Sequence, residues 1–379
     1  MQLPAVQTKF LNLPNSFSLR NGATLDKVCV AYEQYGTLTP EKDNAILLFH
    51  ALSGSQHAYG YNPEVPGTGS LWKPENHEGW WNSIIGPGKP LDTDRFCIIC
   101  ANYLGGCYGT TGPATPCPAD GQPYGSRFPH VEIADQARLQ ALLLDSLGIE
   151  RVHLMGPSVG GLIALSFACQ FPERVRSFIS IGSGYRASIE HRLSLFEQIL
   201  AIELDPDFQG GDYYRGPAPK KGLAFARIIG HKSFVYQEGL EQRARKEVGG
   251  NYGLLTWMTP TRSTQSYMLH QGTKFAERFD ANSYIRIADM WAEFDIRDHT
   301  LEGFRRAGIP ALIFSIDTDC CFRPAEQQDF AAQLEAAHIP TEFHTIASTK
   351  GHDSFLLEPE LYAEPIRRIL AARKPKGTA

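Results

Sequence analysis

The segment Gly156-Pro157-Ser158-Val159-Gly160-Gly161 follows an apolar run, Val152-His153-Leu154-Met155, and precedes a helix-like run over 162–171. In a G-x-S-x-G turn the glycines leave room for a strained serine backbone. The hydroxyl then projects free of the sheet, and the next amide, that of Val159, faces an oxyanion. The spacing predicts a nucleophilic serine. A phosphate-cradling loop would instead carry Lys followed by Ser or Thr at the helix start, where Gly161-Leu162 stands.

A serine nucleophile needs a base to take its proton and a carboxylate to hold that base, in the chain order serine, acid, histidine on such a turn. Two late histidines qualify. His344 falls inside the last strand-like run and reads as a strand side chain. His352 follows that run in a loop, from which an imidazole can reach back to Ser158, and is the predicted base. For the acid, the run over 311–316 ends in Asp317-Thr318-Asp319, and position alone does not separate the two aspartates. A second oxyanion donor is expected from the loop after an early strand, which makes the Leu52 amide the candidate. His50, beside it, is expected to shape that loop.

These groups need a scaffold. Strand-like runs at 45–49, 96–101, 152–155, 175–181, 311–316 and 342–346 alternate with helical ones at 133–147 and 162–171. This predicts an α/β architecture with a mostly parallel sheet and helices on both faces. Between about 185 and 308 strand-like runs cease, and helical stretches at 188–204, 222–229 and 282–293 take over. The expected organisation is a core domain over 1–184 and 309–379, with a helical lid over 185–308 above the C-terminal ends of the strands.

The net charge of −5, from 36 basic and 41 acidic side chains, leaves no positive excess to hold a nucleic acid or an anionic membrane. No stretch is long and apolar enough to span a bilayer and the N-terminus lacks a signal-like pattern, so a cytoplasmic chain is expected. Eight cysteines are too few for a disulfide scaffold in 379 residues. Cys97 and Cys100 lie in a strand-like run with no second pair at metal-ligand spacing, and are expected to be core thiols. The adjacent Cys320 and Cys321 call for the same caution against a redox or zinc reading.

Further motifs carry a resemblance. His50-Ala51-Leu52-Ser53-Gly54, Gly79-Trp80-Trp81, Leu104-Gly105-Gly106-Cys107-Tyr108-Gly109, Gly210-Gly211-Asp212-Tyr213-Tyr214, Ala226-Arg227-Ile228-Ile229-Gly230-His231, Arg278-Phe279-Asp280-Ala281-Asn282-Ser283-Tyr284 and Gly351-His352-Asp353 resemble the homoserine O-acetyltransferases of the α/β-hydrolase fold, over about 12–358. The resemblance implies a ping-pong transferase of methionine biosynthesis. In it Ser158 takes an acetyl group from acetyl-CoA, a co-substrate with no permanently bound cofactor or metal, and passes it to the hydroxyl of homoserine. It also implies that Asp319, framed by Cys320-Cys321-Phe322-Arg323-Pro324, is the acid. Arg227 would anchor the amino-acid carboxylate, Asp353 its ammonium, and the lid would join a homodimer. Pro157 and Val159 stand where the family commonly has Gly and Met, and Phe234 where it commonly has Tyr. Relatives of this kind also acylate serine or use succinyl-CoA, and a simple esterase or thioesterase would carry the same three catalytic residues.

Overall fold

Alternate residues of each central strand fall into two separate apolar cores, as a pleat buried on both faces requires. In the computed structural model, which describes residues 3–244, 252–296 and 300–372, the main sheet has eight strands. They are β1 (Lys9–Asn12), β2 (Cys29–Tyr35), β3 (Ala45–Leu48), β4 (Cys97–Ala101), β5 (Val152–Pro157), β6 (Val175–Ile181), β7 (Ala311–Ile316) and β8 (Thr341–Ile346). Their spatial order is β1-β2-β4-β3-β5-β6-β7-β8. The pairs β1–β2 and β2–β4 are antiparallel, and every other neighbouring pair is parallel. The six strands expected from the sequence are all present, and β1 and β2 add the antiparallel edge that it did not foretell.

One core contains Leu47, Ile99, Leu154 and Ile313 with side chains of α1 (Ile133–Leu147), α2 (Val159–Gln170) and a later helix over Pro324–Ala336. The other contains Ile46, Leu48, Met155, Ile179 and Phe314 with Ile366, Ile369 and Leu370 near the C-terminal end. Helices therefore cover both faces. α1 stops where Gly148 takes φ 65°, a left-handed cap that a side chain with a Cβ disfavours.

Between β6 and β7 no strand of the sheet occurs among the described residues. The chain runs instead through α3 (Ile189–Glu203), α4 (Lys220–Phe234), α5 (Gln237–Ala244), α6 (Ser263–Ala276), α7 (Ala281–Ala292) and α8 (Glu302–Arg306). It then completes α9 (Pro324–Ala336), α10 (Ser354–Leu357) and α11 (Ala363–Ala371). α4 packs between α3 and α6 and also rests on the turn Gly351–Asp353. α7 is capped by buried Asp280, which accepts from the Ser283 amide at 2.9 Å and from the hydroxyls of Tyr213 at 2.7 Å and Tyr214 at 3.1 Å. The Asp212-Tyr213-Tyr214 and Asp280-Ala281-Asn282-Ser283 segments are thus one structural knot. No helix among the described residues is long and apolar enough to cross a membrane.

Candidate active site

Ser158 sits at the junction of β5 and α2 with φ 55° and ψ −132°, a region strained for a residue with a side chain. Its amide donates to the Ile181 carbonyl at 2.9 Å, which ties the turn to the end of β6. The turn is tight enough to require its glycines. A Cβ on Gly160 would lie 2.5 Å from the Phe49 carbonyl oxygen, and one on Gly156 would lie 2.3 Å from the Gly160 carbonyl. The Ser158 hydroxyl is not spent on capping α2. α2 begins at Val159, three residues earlier than the sequence suggested, so the Val159 amide is one of the free N–H groups at a helix start.

The loop after β8 carries His352, and its Nδ1 lies 2.8 Å from Asp319 Oδ2. The other carboxylate oxygen, Oδ1, accepts from the amides of Cys321 at 2.7 Å and Phe322 at 2.9 Å, so the acid is fixed by the backbone of its own loop. Gln327 stands 3.5 Å from Oδ2 and donates to the Phe322 carbonyl. The structure therefore separates the two aspartates. Asp317 accepts from the Ser348 amide at 3.0 Å and, with Thr318, which bonds the Ser348 carbonyl at 2.6 Å, holds the loop in which His352 stands. His344 lies in β8, stacks on Phe314 and bonds Glu342.

Burial pulls the His352 pKa down, but the charge of Asp319, its hydrogen bond and the charge of Asp353 outweigh it and raise it above the ordinary 6.5. The rings of Phe322, Phe234 and Phe355 stand 5.8, 5.9 and 5.4 Å from the imidazole. Its Nε2 is buried and has no hydrogen-bond partner among the described residues. Gly182, directly after the Ile181 carbonyl that binds Ser158, links the two halves of the site. A Cβ there would lie 3.3 Å from Asp319 Oδ2 and 3.4 Å from His352 Nδ1. The end of β6 thus brings the serine, base and acid to one place.

Leu52 is buried in the loop after β3, and that loop is braced from several sides. His50 Nδ1 faces the Ala51 carbonyl at 2.7 Å, the Gly54 amide donates to the same carbonyl at 2.9 Å, and the Tyr103 hydroxyl donates to the His50 carbonyl. Burial pulls the His50 pKa down to about 4, with the Ala51 carbonyl opposing, which leaves a neutral ring stacked 3.7 Å from Tyr103.

Arg227, on α4, lies with its guanidinium carbon 5.1 Å from the Phe234 ring and 4.8 Å from that of Phe275. Its Nη1 is buried without a hydrogen-bond partner among the described residues. Burial lowers its pKa, as does Arg278, while Tyr284 and Asp353 oppose. Phe234 is therefore a shared wall, with the imidazole of His352 on one contact and the guanidinium on another. Asp353 follows His352 in the turn Gly351–Asp353, whose Gly351 has φ 66°. A Cβ at that glycine would lie 2.7 Å from the Tyr236 amide. A cavity of about 220 Å³ opens beside Arg227, between the loop of Ser53 and Gly54 and helix α6. Gln271 and Phe275 in its wall escaped the sequence reading, although their four-residue spacing is that of a helix face, and Arg278 stood there only as the first residue of a motif. Cys97 and Cys100 are buried free thiols, Cys321 is buried and Cys320 exposed.

Residues 44–359 match the alpha/beta hydrolase fold family. The homoserine O-acetyltransferase of Geobacter sulfurreducens is 37% identical over 98% of this chain and 99% of its own. The crystal structure of homoserine O-acetyltransferase from Bacillus anthracis superposes with a TM-score of 0.85 at 26% identity, covering 98% of this chain and 99% of that one. The crystal structure of esterase E22 has the same TM-score at 27% identity, covering 96% and 100%. Together with the sheet order and the serine turn, these likenesses show that the chain belongs to the homoserine O-acetyltransferase family of the α/β-hydrolase fold.

Proposed function

We propose that the protein transfers an acetyl group from acetyl-CoA to the side-chain hydroxyl of L-homoserine, in the cytoplasm and in methionine biosynthesis, through an acyl-Ser158 intermediate. His352, oriented by Asp319, takes the Ser158 proton as Oγ attacks the thioester carbonyl. The amides of Val159 and Leu52 hold the oxyanion, and the CoA sulfur leaves with the proton from His352. His352 then removes the homoserine hydroxyl proton, the alkoxide oxygen attacks the acyl-serine carbonyl, and Ser158 regains its proton. Residues 185–308 serve as the lid that keeps water from the ester.

The observation that carries this reading is Arg227, a buried guanidinium with an unpartnered Nη1, two aromatic contacts away from the base. Hydrolysis of a simple ester has no use for that cation, whereas an amino-acid carboxylate matches its planar fork. Asp353, beside the base, takes the ammonium. Replacing Arg227 by Met is expected to raise KM for homoserine about 10- to 100-fold, the worth of a charge-assisted pair. An equal rise for the acyl donor would contradict the assignment. The test of the whole reading is CoA thiol release with acetyl-CoA or succinyl-CoA crossed against homoserine, serine and buffer alone. Acetyl-CoA with homoserine is expected to be the fastest pair, and a preference for succinyl-CoA or serine would overturn the substrate assignment. The likeness to esterase E22 favours a second reading, ester hydrolysis, which predicts equal turnover in every acceptor arm.

The same reading includes a homodimer joined through the lid. Ile189, Leu193, Phe196 and Leu200 are exposed along one stripe of α3, and Leu204 is exposed just past its end. A groove of about 870 Å³, lined by Leu204, Phe225 and Met258, opens on the same helices and contains none of the candidate catalytic residues. In sedimentation, Phe196→Asp is expected to turn a dimer into a monomer. A monomeric wild type would contradict the dimer.

A further inference from the structure

We infer that Lys274 and Arg278, bridged by Glu75, form the subsite for the phosphate groups of the acyl donor; the inference rests on the acyl-CoA reading above. Both cations project from α6 and its C-terminal end into the cavity beside Arg227. Lys274 Nζ lies 3.0 Å from Glu75 Oε2, and Arg278 Nε lies 3.1 Å from Glu75 Oε1, so one carboxylate is shared by two cations. Arg278 is further fixed by the Ser53 carbonyl at 3.4 Å, the Tyr108 hydroxyl at 3.3 Å and the Phe275 ring 5.1 Å from its guanidinium carbon. Lys274 stands half exposed at the rim. The cavity wall carries three cationic groups, Arg227, Lys274 and Arg278, against two carboxylates, Glu75 and Glu78.

Position makes this pair more than a surface brace. A series of contacts, none longer than 5.9 Å, leads from the His352 ring through Phe234, Arg227 and Phe275 to Arg278. The bond to Ser53 places the same guanidinium against the loop that continues from Leu52. In acyl-CoA the thioester and the phosphates sit at opposite ends of a long flexible arm. With the thioester at Ser158, the inferred path of the arm is this cavity, whose wall carries Lys274 and Arg278 as paired cations, Lys274 half exposed and Arg278 deeper. An Arg fork and a Lys point charge are a common pairing for phosphate oxygens. Glu75 holds both cations in position in the free enzyme, and the donor's phosphates take its place by exchange of ion pairs, with no covalent step.

The measurement is the ratio of kcat/KM for acetyl-CoA to that for S-acetylpantetheine, a thioester with the arm and no phosphates, in the full-length protein. Lys274→Ala is expected to lower the ratio about fivefold, the upper end for a half-exposed ion pair. Glu75→Gln, which frees both cations, is expected to raise it, and the wild-type ratio is expected to fall as salt is added. A ratio that stays constant in both variants, or moves the same way in both as loss of a structural brace would make it, overturns the subsite while leaving acyl transfer intact. A wild type that turns over neither thioester overturns both.

Discussion

Ser158→Ala is expected to lower turnover at least about 10⁴-fold while the protein stays folded, because it removes the hydroxyl that His352 deprotonates. The backbone sharpens the expectation. Ser158 is held at φ 55° and ψ −132°, a combination that glycine adopts freely and that costs other residues about 1–3 kcal/mol. Ser158→Gly is therefore expected to be as inactive as the alanine variant yet to melt at a higher temperature than either Ser158→Ala or the wild type. Thermal unfolding of the three proteins, followed beside CoA release, checks both halves. An inactive glycine variant that is less stable than wild type would show that the turn stores no strain.

Asp319→Asn is expected to cost about 10³–10⁴-fold in kcat, because the amide can no longer hold His352 in the tautomer that presents Nε2 as a base. The pH profile gives a second readout with a definite sign. His352 must be neutral to accept the Ser158 proton, and its pKa is raised in the folded protein because Asp319 and then Asp353 overcome the effect of burial. Activity of the wild type is thus expected to fall as the pH drops through a value above the ordinary 6.5. In Asp319→Asn the main opposing charge is gone and burial prevails, so the acid limb moves to lower pH beneath a much reduced plateau. The linked stability has the same origin. A raised folded pKa stabilises the fold fully below the unfolded pKa, and that contribution is lost as pH rises through the folded value, so the variant loses stability mainly on the acid side. The amides of Cys321 and Phe322, which bond Oδ1, can still be satisfied by the asparagine oxygen, so the loop is expected to persist.

How much of this was legible in the sequence depended on whether the relevant physics is local. β5 and the serine turn were legible because a buried parallel strand is a continuous apolar run and the turn needs its small residues at fixed spacing. α2 was read as starting late because Gly160 and Gly161 look like turn residues. They are helical and small because the helix presses against the Phe49 and His50 carbonyls and Ser183. α6 escaped for a related reason. Its Gly272 is set by a neighbour distant in the chain, since a Cβ there would lie 2.6 Å from the Ala224 carbonyl, which is how closely α4 and α6 pack. β2 was hidden by Glu33, a buried carboxylate in mid-strand that accepts from Thr8, Tyr35 and Asn62 and pairs with His57 at 2.7 Å.

At the site, the same limit separates Asp319 from Asp317. Both end one strand, and only the fold of the next loop turns one towards His352 and the other towards the Ser348 amide. The cavity beside Arg227 was out of reach altogether. It joins Glu75 to Lys274 and Arg278, which are about two hundred residues apart, and no periodicity reports a pairing across that separation.

The most direct test of acyl transfer through Ser158 is time-resolved CoA release from acetyl-CoA, first without and then with homoserine. A single burst equal to the enzyme present is expected, with an acetyl group on Ser158 by mass spectrometry and sustained release only once homoserine is added. Sustained release without an acceptor, or release in Ser158→Ala at the wild-type rate, would contradict it.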